Sequence, residues 1–126
     1  YRIEVMYVES HKDLIVWQKA MKLVVEIYKL TNLLPAEEKY GLVSQMRRAA
    51  VSLQSNIAEG KKRSYRKDYR NFILNALGSG AELETQLEIS RMLGFVKDED
   101  LNKINDLLLE VMKMLSVISQ KLNEFN

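Results

Sequence analysis

The residues best suited to chemistry are lysines and arginines, which crowd into the middle of the chain. From Lys39 to Arg70 there are nine of the nineteen basic residues and only two acidic ones, Glu59 and Asp68, a net charge of +7. The parts before and after this stretch carry −1 and −4, so the total of +2 conceals a strongly polarised chain. Clustered cations favour a polyanionic partner because their binding releases counterions condensed on its phosphates. The stretch therefore predicts a phosphate-binding surface, with RNA or DNA as the partner.

Eight of these basic residues form the candidate nucleic-acid-binding set, since they belong to one predicted helix, to the turn that follows it and to the start of the next helix. They are Arg47, Arg48, Lys61, Lys62, Arg63, Arg66, Lys67 and Arg70. The first three after the helix stand where the negative end of its dipole favours cations. The last three follow a predicted N-cap at Ser64, where cations face the positive end of the next helix dipole. An anionic partner would remove that conflict.

Two alternatives to this interpretation stay open. In the first alternative, the cations neutralise Glu82, Glu84 and Glu88 across a subunit interface, and the protein is mainly an oligomeric scaffold. Tyr65 and Tyr69 either stack on bases or serve the fold, Tyr69 as a core residue and Tyr65 as a staple at the helix start. Nothing in the stretch specifies a base sequence.

Residues for catalysis and metal binding are scarce. The chain has no cysteine and a single histidine, His11, which lies near the N-terminus. Glu82, Glu84 and Glu88 lack the histidine spacing that di-iron helical bundles use, so a solvated helix face is the simpler interpretation. We therefore expect no enzyme activity, no cofactor and no metal site.

The composition favours one helical domain in a reducing compartment. The 126 residues include one proline and five glycines, too few for a turn-rich sheet. The absence of cysteine, of a signal-peptide pattern and of an apolar run near the roughly 18 residues of a membrane span predicts a cytoplasmic protein. We interpret residues 1–12 as an N-terminal extension, in which the residues before Met6 come from read-through or cloning, and residues 13–126 as the domain.

Apolar residues recur at helical spacing in four segments, which predicts helices over 14–33, 40–60, 65–93 and 98–123. Pro35, Gly60 and Gly94 separate the segments, and the two glycines are interpreted as helix ends with left-handed dihedrals. The last helix has the most regular seam, formed by Leu101, Ile104, Leu108, Val111, Leu115, Ile118 and Leu122. Four amphipathic helices with short connections predict an all-α, up-down-up-down four-helix bundle.

The first and last helices carry more apolar surface than one bundle face needs. The first has two adjacent stripes, one from Leu14 to Thr31 and a second from Val16 to Leu34 that includes Leu23; the last adds Leu107 beside its seam. This excess predicts self-association, with Leu23 and Leu107 at the interface. The run of small residues around Gly78 and Gly80 predicts a close approach of a neighbouring backbone to the third helix.

Four motifs in order resemble those of a known family. They are Asp13-Leu-Ile-Val-Trp-Gln-Lys-Ala20, Gln45-Met-Arg-Arg-Ala-Ala-Val-Ser52, Ser55-Asn-Ile-Ala-Glu-Gly60 and Ala81-Glu-Leu-Glu-Thr-Gln-Leu-Glu88. From about residue 12 to 122 the chain resembles the bacterial four-helix-bundle proteins encoded within intervening sequences of 23S ribosomal RNA genes. The family often has proline at the position of Gln54, so no proline kink is expected here.

The resemblance implies a small up-and-down bundle that associates as a homo-oligomeric ring, a pentamer, without enzymatic activity. It also implies a fold similar to the accessory protein of diversity-generating retroelements, which works with a reverse transcriptase and nucleic acid. A protein partner is therefore a further expectation beside RNA or DNA.

Overall fold

The computed structural model of the protein describes residues 10–124. Within these residues the chain forms four α-helices and no strand, and the helices are α1 (Ile15–Thr31), α2 (Leu42–Lys61), α3 (Arg66–Met92) and α4 (Asp98–Asn123). Short 3-10 turns at His11–Asp13 and Ala36–Glu38 precede α1 and α2. The four predicted helices are confirmed, and each predicted end lies within two residues of the observed one.

The helices pack as an up-down-up-down bundle. Each helix contacts its neighbour in the sequence, and α1 also contacts α4, which closes the ring of four. Trp17, near the start of α1, donates from Nε1 to Oε1 of Gln54, in the second half of α2, at 3.2 Å. Glu26, late in α1, lies 3.7 Å from Nζ of Lys103, early in α4. Both contacts require antiparallel neighbours, and α2 continues unbroken through Gln54, as expected without a proline.

The core consists of the predicted apolar faces, since residues at helical spacing share one side of a helix. In α2 the whole predicted face is buried, namely Val43, Met46, Ala50, Leu53 and Ile57. The seam of α4 is buried except for Ile118, which is half-buried beside the buried Ser119. These positions fill the centre of the bundle.

The second stripe of α1 does not face another subunit. Val16, Leu23 and Leu34 are all buried within the single chain, and Leu23 has no exposed surface. The prediction that Leu23 lies at a subunit interface is wrong, because α2 and α4 both pack against α1 and enclose this stripe. The other stripe is the more exposed one, since Met21 and Tyr28 remain partly in solvent.

The glycines play different parts from those predicted. Gly94 ends α3 with a φ of +78°, as predicted. Gly60 lies inside α2 without a positive φ, so its interpretation as a left-handed helix end is wrong. A Cβ there would lie 2.9 Å from Phe72 Cβ and 3.2 Å from the Tyr69 carbonyl oxygen, so glycine permits the close packing of α2 on α3.

The small residues in the middle of α3 have a narrower use than expected. Gly80 leaves room for the side chains of Met112 and Leu53 rather than for a neighbouring backbone, and Gly78 faces open space. The predicted close approach of a backbone is therefore not found at either glycine, although the lack of a side chain at Gly80 is needed for packing.

The end of the predicted N-terminal extension packs on the bundle. The ring of His11 meets Trp17 edge-on, with centroids 5.1 Å apart. Gln18 donates from Nε2 to the carbonyl oxygen of Lys12 at 2.9 Å. Residues 1–9, and with them the prediction about the residues before Met6, lie outside the described residues.

Candidate nucleic-acid interface

Three helix ends meet at one end of the bundle. The connection of residues 62–65 turns the chain from α2 into α3, and the close approach at Gly60 holds these two helices together. Arg66 and Arg70, near the start of α3, reach the last turns of α4. Six of the eight predicted cations come together here, and we call them the turn cluster: Lys61, Lys62, Arg63, Arg66, Lys67 and Arg70.

The start of α3 differs from the prediction by one residue. Tyr65, rather than Ser64, occupies the N-cap position, and its side chain makes no capping hydrogen bond. Asp68 is the acidic residue in the first turn, where a carboxylate is favoured by the positive end of the helix dipole. The predicted N-cap at Ser64 is therefore wrong, because the polar side chain that complements this helix start lies after it rather than before it.

Two arginines of the turn cluster bind the end of α4. Arg66 donates from Nη2 to the carbonyl oxygen of Lys121 at 3.2 Å, and Arg70 donates from Nε to the carbonyl oxygen of Ser119 at 3.3 Å. These carbonyls belong to the C-terminal turns of a helix, where the dipole is negative and cations are stabilised. The charge conflict predicted at the start of α3 is thus resolved for these two residues within the chain.

Arg63 is held by its neighbours on both sides of the turn. Its Nη2 lies 2.9 Å from Oε2 of Glu59, four residues earlier, and its guanidinium carbon lies 4.6 Å from the centroid of the Phe72 ring. A guanidinium has five N–H donors, so one ion pair and one ring contact leave donors for a ligand. The position of Arg63 is therefore fixed while part of its hydrogen-bonding capacity remains.

The three lysines of the turn cluster have no such contacts. Within residues 10–124, the side chains of Lys61, Lys62 and Lys67 make no hydrogen bond or ion pair, and the last two side chains are exposed. From Glu59 to Arg70 there are six cations and two carboxylates, a net charge of +4. This end of the bundle therefore presents positive charge that the described part of the chain does not neutralise.

Arg47 and Arg48 do not join the turn cluster. Arg47 precedes Lys61 by fourteen residues, which places it about 21 Å away along the axis of α2. Its Nε donates to Oγ1 of Thr31 at 2.9 Å, and its guanidinium carbon lies 4.4 Å from the centroid of the Tyr28 ring. The eight predicted site residues therefore form two groups near opposite ends of the bundle.

The comparisons identify the family. The chain matches the family model described as 23S rRNA-intervening sequence protein over residues 12–117. The chain belongs to this family. The resemblance noted from the four motifs is thereby confirmed, whereas the similarity to the accessory protein of diversity-generating retroelements stays a prediction. A comparison with curated proteins finds no match.

The fold of this 23S rRNA-intervening sequence family member is similar to a solved one. A crystal structure of a protein with unknown function, from the S23 ribosomal protein family of Bacteroides thetaiotaomicron VPI-5482, superposes with a TM-score of 0.77. The two sequences are 28% identical, and the match covers 83% of this chain and 98% of that chain. The four-helix architecture is therefore shared with an experimentally determined relative.

Exposed tyrosines flank both groups of cations in this family member. Tyr65, at the turn cluster, is 74% exposed, so it does not act as a staple. Tyr69 is half-buried, and burial raises the pKa of its phenol. Tyr40, which the sequence reasoning missed, is 87% exposed and has Nζ of Lys39 at 5.4 Å from its ring centroid. The sequence feature that indicates an exposed Tyr40 is its position between Lys39 and Gly41, outside every apolar stripe.

The acidic side chains of α3 do not form a metal site within residues 10–124, where no three His, Asp or Glu side chains are grouped to hold an ion. Glu82, Glu84 and Glu88 are exposed. Glu88 bonds to Arg91, and this hydrogen bond raises the pKa of the Arg91 guanidinium. None of the described helices is long and apolar enough to cross a membrane.

An open apolar groove of about 550 Å³ lies between α1 and α4. Its apolar surface comes from Met21, Val25 and Leu107. Its rim carries side chains of both charges, namely Lys22, Glu26, Lys103, Asp106 and Glu110. The excess apolar surface predicted for the first and last helices is therefore present, but on Met21 and Val25 rather than on Leu23.

Proposed function

We propose that this protein is a non-enzymatic homo-oligomer that binds the phosphate backbone of RNA or DNA through the turn cluster. The observation that carries the proposal is the group of three lysines whose side chains have no partner within residues 10–124, set beside three arginines that contact other parts of the bundle. Binding to phosphates through such a group is electrostatic and depends little on base sequence.

The fixed arginines favour binding because their positions are set before a ligand arrives. Arg66 and Arg70 are held by carbonyls of α4, and Arg63 by Glu59. Ordering a long side chain on binding costs free energy, and a side chain that is already ordered avoids much of that cost. The remaining guanidinium donors suit phosphate oxygens, which accept charge-assisted hydrogen bonds.

Lys67 separates this proposal most clearly from a purely structural role. Lys61 and Lys62 lie at the C-terminal end of α2, where the helix dipole alone favours cations. Lys67 lies in the first turn of α3, where the dipole disfavours it, and no partner within residues 10–124 offsets this. An anionic ligand would supply the negative charge that Lys67 lacks within residues 10–124.

The test replaces lysines only, because changing Arg63 or Arg66 would also remove contacts that hold the turn. The variant carries Lys61→Gln, Lys62→Gln and Lys67→Gln together. The matched control removes three exposed lysines elsewhere, with Lys29→Gln, Lys97→Gln and Lys113→Gln. Both lose the same charge.

Labelled RNA hairpin and duplex DNA are titrated with the wild type, the variant and the control near 100 mM salt. We expect the turn-cluster variant to bind at least about tenfold more weakly and the control to stay within about twofold of wild type, with helicity and assembly mass unchanged. If the wild type binds neither nucleic acid and the variant loses assembly, the cations pair across subunits and the protein is a scaffold.

Self-association is the second part of the proposal, and the groove between α1 and α4 supports it. Residues 10–124 leave apolar surface of Met21, Val25 and Leu107 uncovered, and a rim with both charges suits a like surface on a second copy. The family resemblance favours a pentameric ring. In a ring the turn cluster repeats in every subunit, which strengthens binding to a long polyanion. Sedimentation at micromolar concentration tests this, and a monomer would contradict it.

A further inference from the structure

A second group of cations surrounds an open cavity of about 540 Å³ at the end of α2 opposite the turn cluster. The cavity lies between the end of α1, the connection before α2 and the first turns of α2. Its aromatic and charged lining consists of Tyr28, Lys39, Tyr40, Arg47 and Arg48, and residues 10–124 contribute no carboxylate to it. We call this cavity the Tyr40 pocket. Two rings and three cations suit a ligand that is both planar and anionic.

Tyr40 is the ring available for such a ligand. Its side chain is 87% exposed, and its ring contact within residues 10–124 is with the Lys39 ammonium. Large aromatic side chains usually bury most of their surface, so a ring left in water beside cations resembles a base-stacking platform. Tyr28, by contrast, is already covered by the guanidinium of Arg47.

The two arginines of the pocket differ in their freedom. Arg47 is fixed by hydrogen bonds to Oγ1 of Thr31 at 2.9 Å and to Oδ1 of Asn32 at 3.4 Å. The side chain of Arg48 is exposed and makes no hydrogen bond or ion pair within residues 10–124. Arg47 therefore contributes a fixed positive charge, while Arg48 can reach a phosphate.

The outward face of α2 connects the Tyr40 pocket to the turn cluster. Arg48 and Lys62 are fourteen residues apart, which places them within about 40° of the same face and about 21 Å apart along the axis. Between them, at steps of three and four, lie Val51, Ser55 and Ala58. These side chains are short and project little from the helix, so a nucleic-acid strand can lie close to it with a cation at each end.

We propose that a single nucleic-acid strand lies along this face, with phosphates at Lys62 and Arg48 and a base stacked on Tyr40. The inference rests on the proposed function and adds a strand type and a length for a stacked strand. A distance of 21 Å corresponds to about six nucleotides in a strand that keeps the stacked spacing of about 3.4 Å per nucleotide. Bases in a duplex are paired and stacked internally, so only an unpaired strand offers a free base face to Tyr40.

The test uses labelled oligoadenylates of three and nine nucleotides and a duplex of nine base pairs. The proteins are wild type, Arg48→Gln, the matched pair Tyr40→Leu and Tyr40→Phe, and the triple lysine variant described above. Arg48 and Tyr40 are exposed, so we expect these variants to fold. We expect the wild type to bind the nine-mer at least about tenfold more tightly than the three-mer. Tyr40→Leu and Arg48→Gln should weaken nine-mer binding about tenfold, whereas Tyr40→Phe keeps the ring and should stay within about twofold.

The outcomes separate this inference from the proposed function. If Tyr40→Leu binds the nine-mer as wild type does while the triple lysine variant binds it weakly, the strand position is wrong and the turn cluster stands. Equal weakening of duplex and nine-mer by Tyr40→Leu would also overturn it, because a paired base cannot stack on the ring. If wild type binds none of the three ligands, both proposals fail.

Discussion

The turn cluster has more positive charge, and the groove between α1 and α4 more apolar surface, than the fold needs. Both features are visible in the sequence, but the contacts made within the chain differ between them. At the turn cluster, three of the six cations make contacts within the chain, because Arg63, Arg66 and Arg70 contact Glu59 and the end of α4. At the groove, Met21 and Val25 remain exposed. The proposed binding therefore depends on the lysines, and the proposed self-association depends on apolar side chains outside the core.

The largest expected effect comes from placing a charge in the core, compared with placing one at the groove. Leu23→Glu places a charge where no side-chain surface is exposed, so it should abolish folding, since burial of an unpaired charge costs far more than a domain's marginal stability. Leu107→Glu, at a half-buried position of the groove, should keep the circular dichroism spectrum of a folded bundle, with a lower melting temperature, while lowering the assembly mass. Circular dichroism melts and sedimentation measure the two effects. An unchanged mass for Leu107→Glu would separate the groove from assembly.

The second-largest expected effect is a difference in stability between alanine substitutions at two glycines of the bundle. Gly60→Ala should destabilise the fold by about 1–3 kcal/mol, because its Cβ would meet Phe72 Cβ at 2.9 Å and a backbone oxygen behind it. Gly78→Ala, which faces open space in the middle of α3, should stabilise the fold by up to about 1 kcal/mol. Urea denaturation measures both. Equal effects at the two positions would contradict the close packing of α2 on α3.

The helices and most of the core could be predicted from the sequence because burial follows the local spacing of apolar residues. The face of α2 from Val43 to Ile57 is buried as its steps of three and four indicate. Spacing could not reveal that the stripe with Leu23 is enclosed by two other helices. Nor could it show that Gly60 serves packing rather than chain reversal, since the atoms that require a glycine belong to α3.

The candidate site was harder to predict because its contacts join distant parts of the chain. Arg66 and Arg70 bind carbonyls 55 and 49 residues away, which no local pattern indicates. The separation of Arg47 from the turn cluster follows from helix length and could have been worked out from the spacing alone. Tyr40 was overlooked because it lies in a connection, outside every apolar stripe.

The smallest effect on stability distinguishes the two kinds of cation in the turn cluster. Arg70→Gln should destabilise the fold by about 1 kcal/mol, because it removes a partly buried cation from the negative end of α4. Lys67→Gln should change stability by less than about 0.5 kcal/mol, as expected for an exposed side chain that has no partner in the described part of the chain. Urea denaturation at low salt tests the pair. A larger loss for Lys67→Gln would give that lysine a structural role.

The salt dependence of nucleic-acid affinity tests the central claim most directly. For duplex DNA, log K should fall linearly with log salt, and removing Lys61, Lys62 and Lys67 together should reduce the slope by about 2.7, at about 0.9 for each lost phosphate contact. The control that replaces Lys29, Lys97 and Lys113 should keep the wild-type slope. Equal slopes for wild type and the turn-cluster variant would contradict the claim that these lysines bind phosphates.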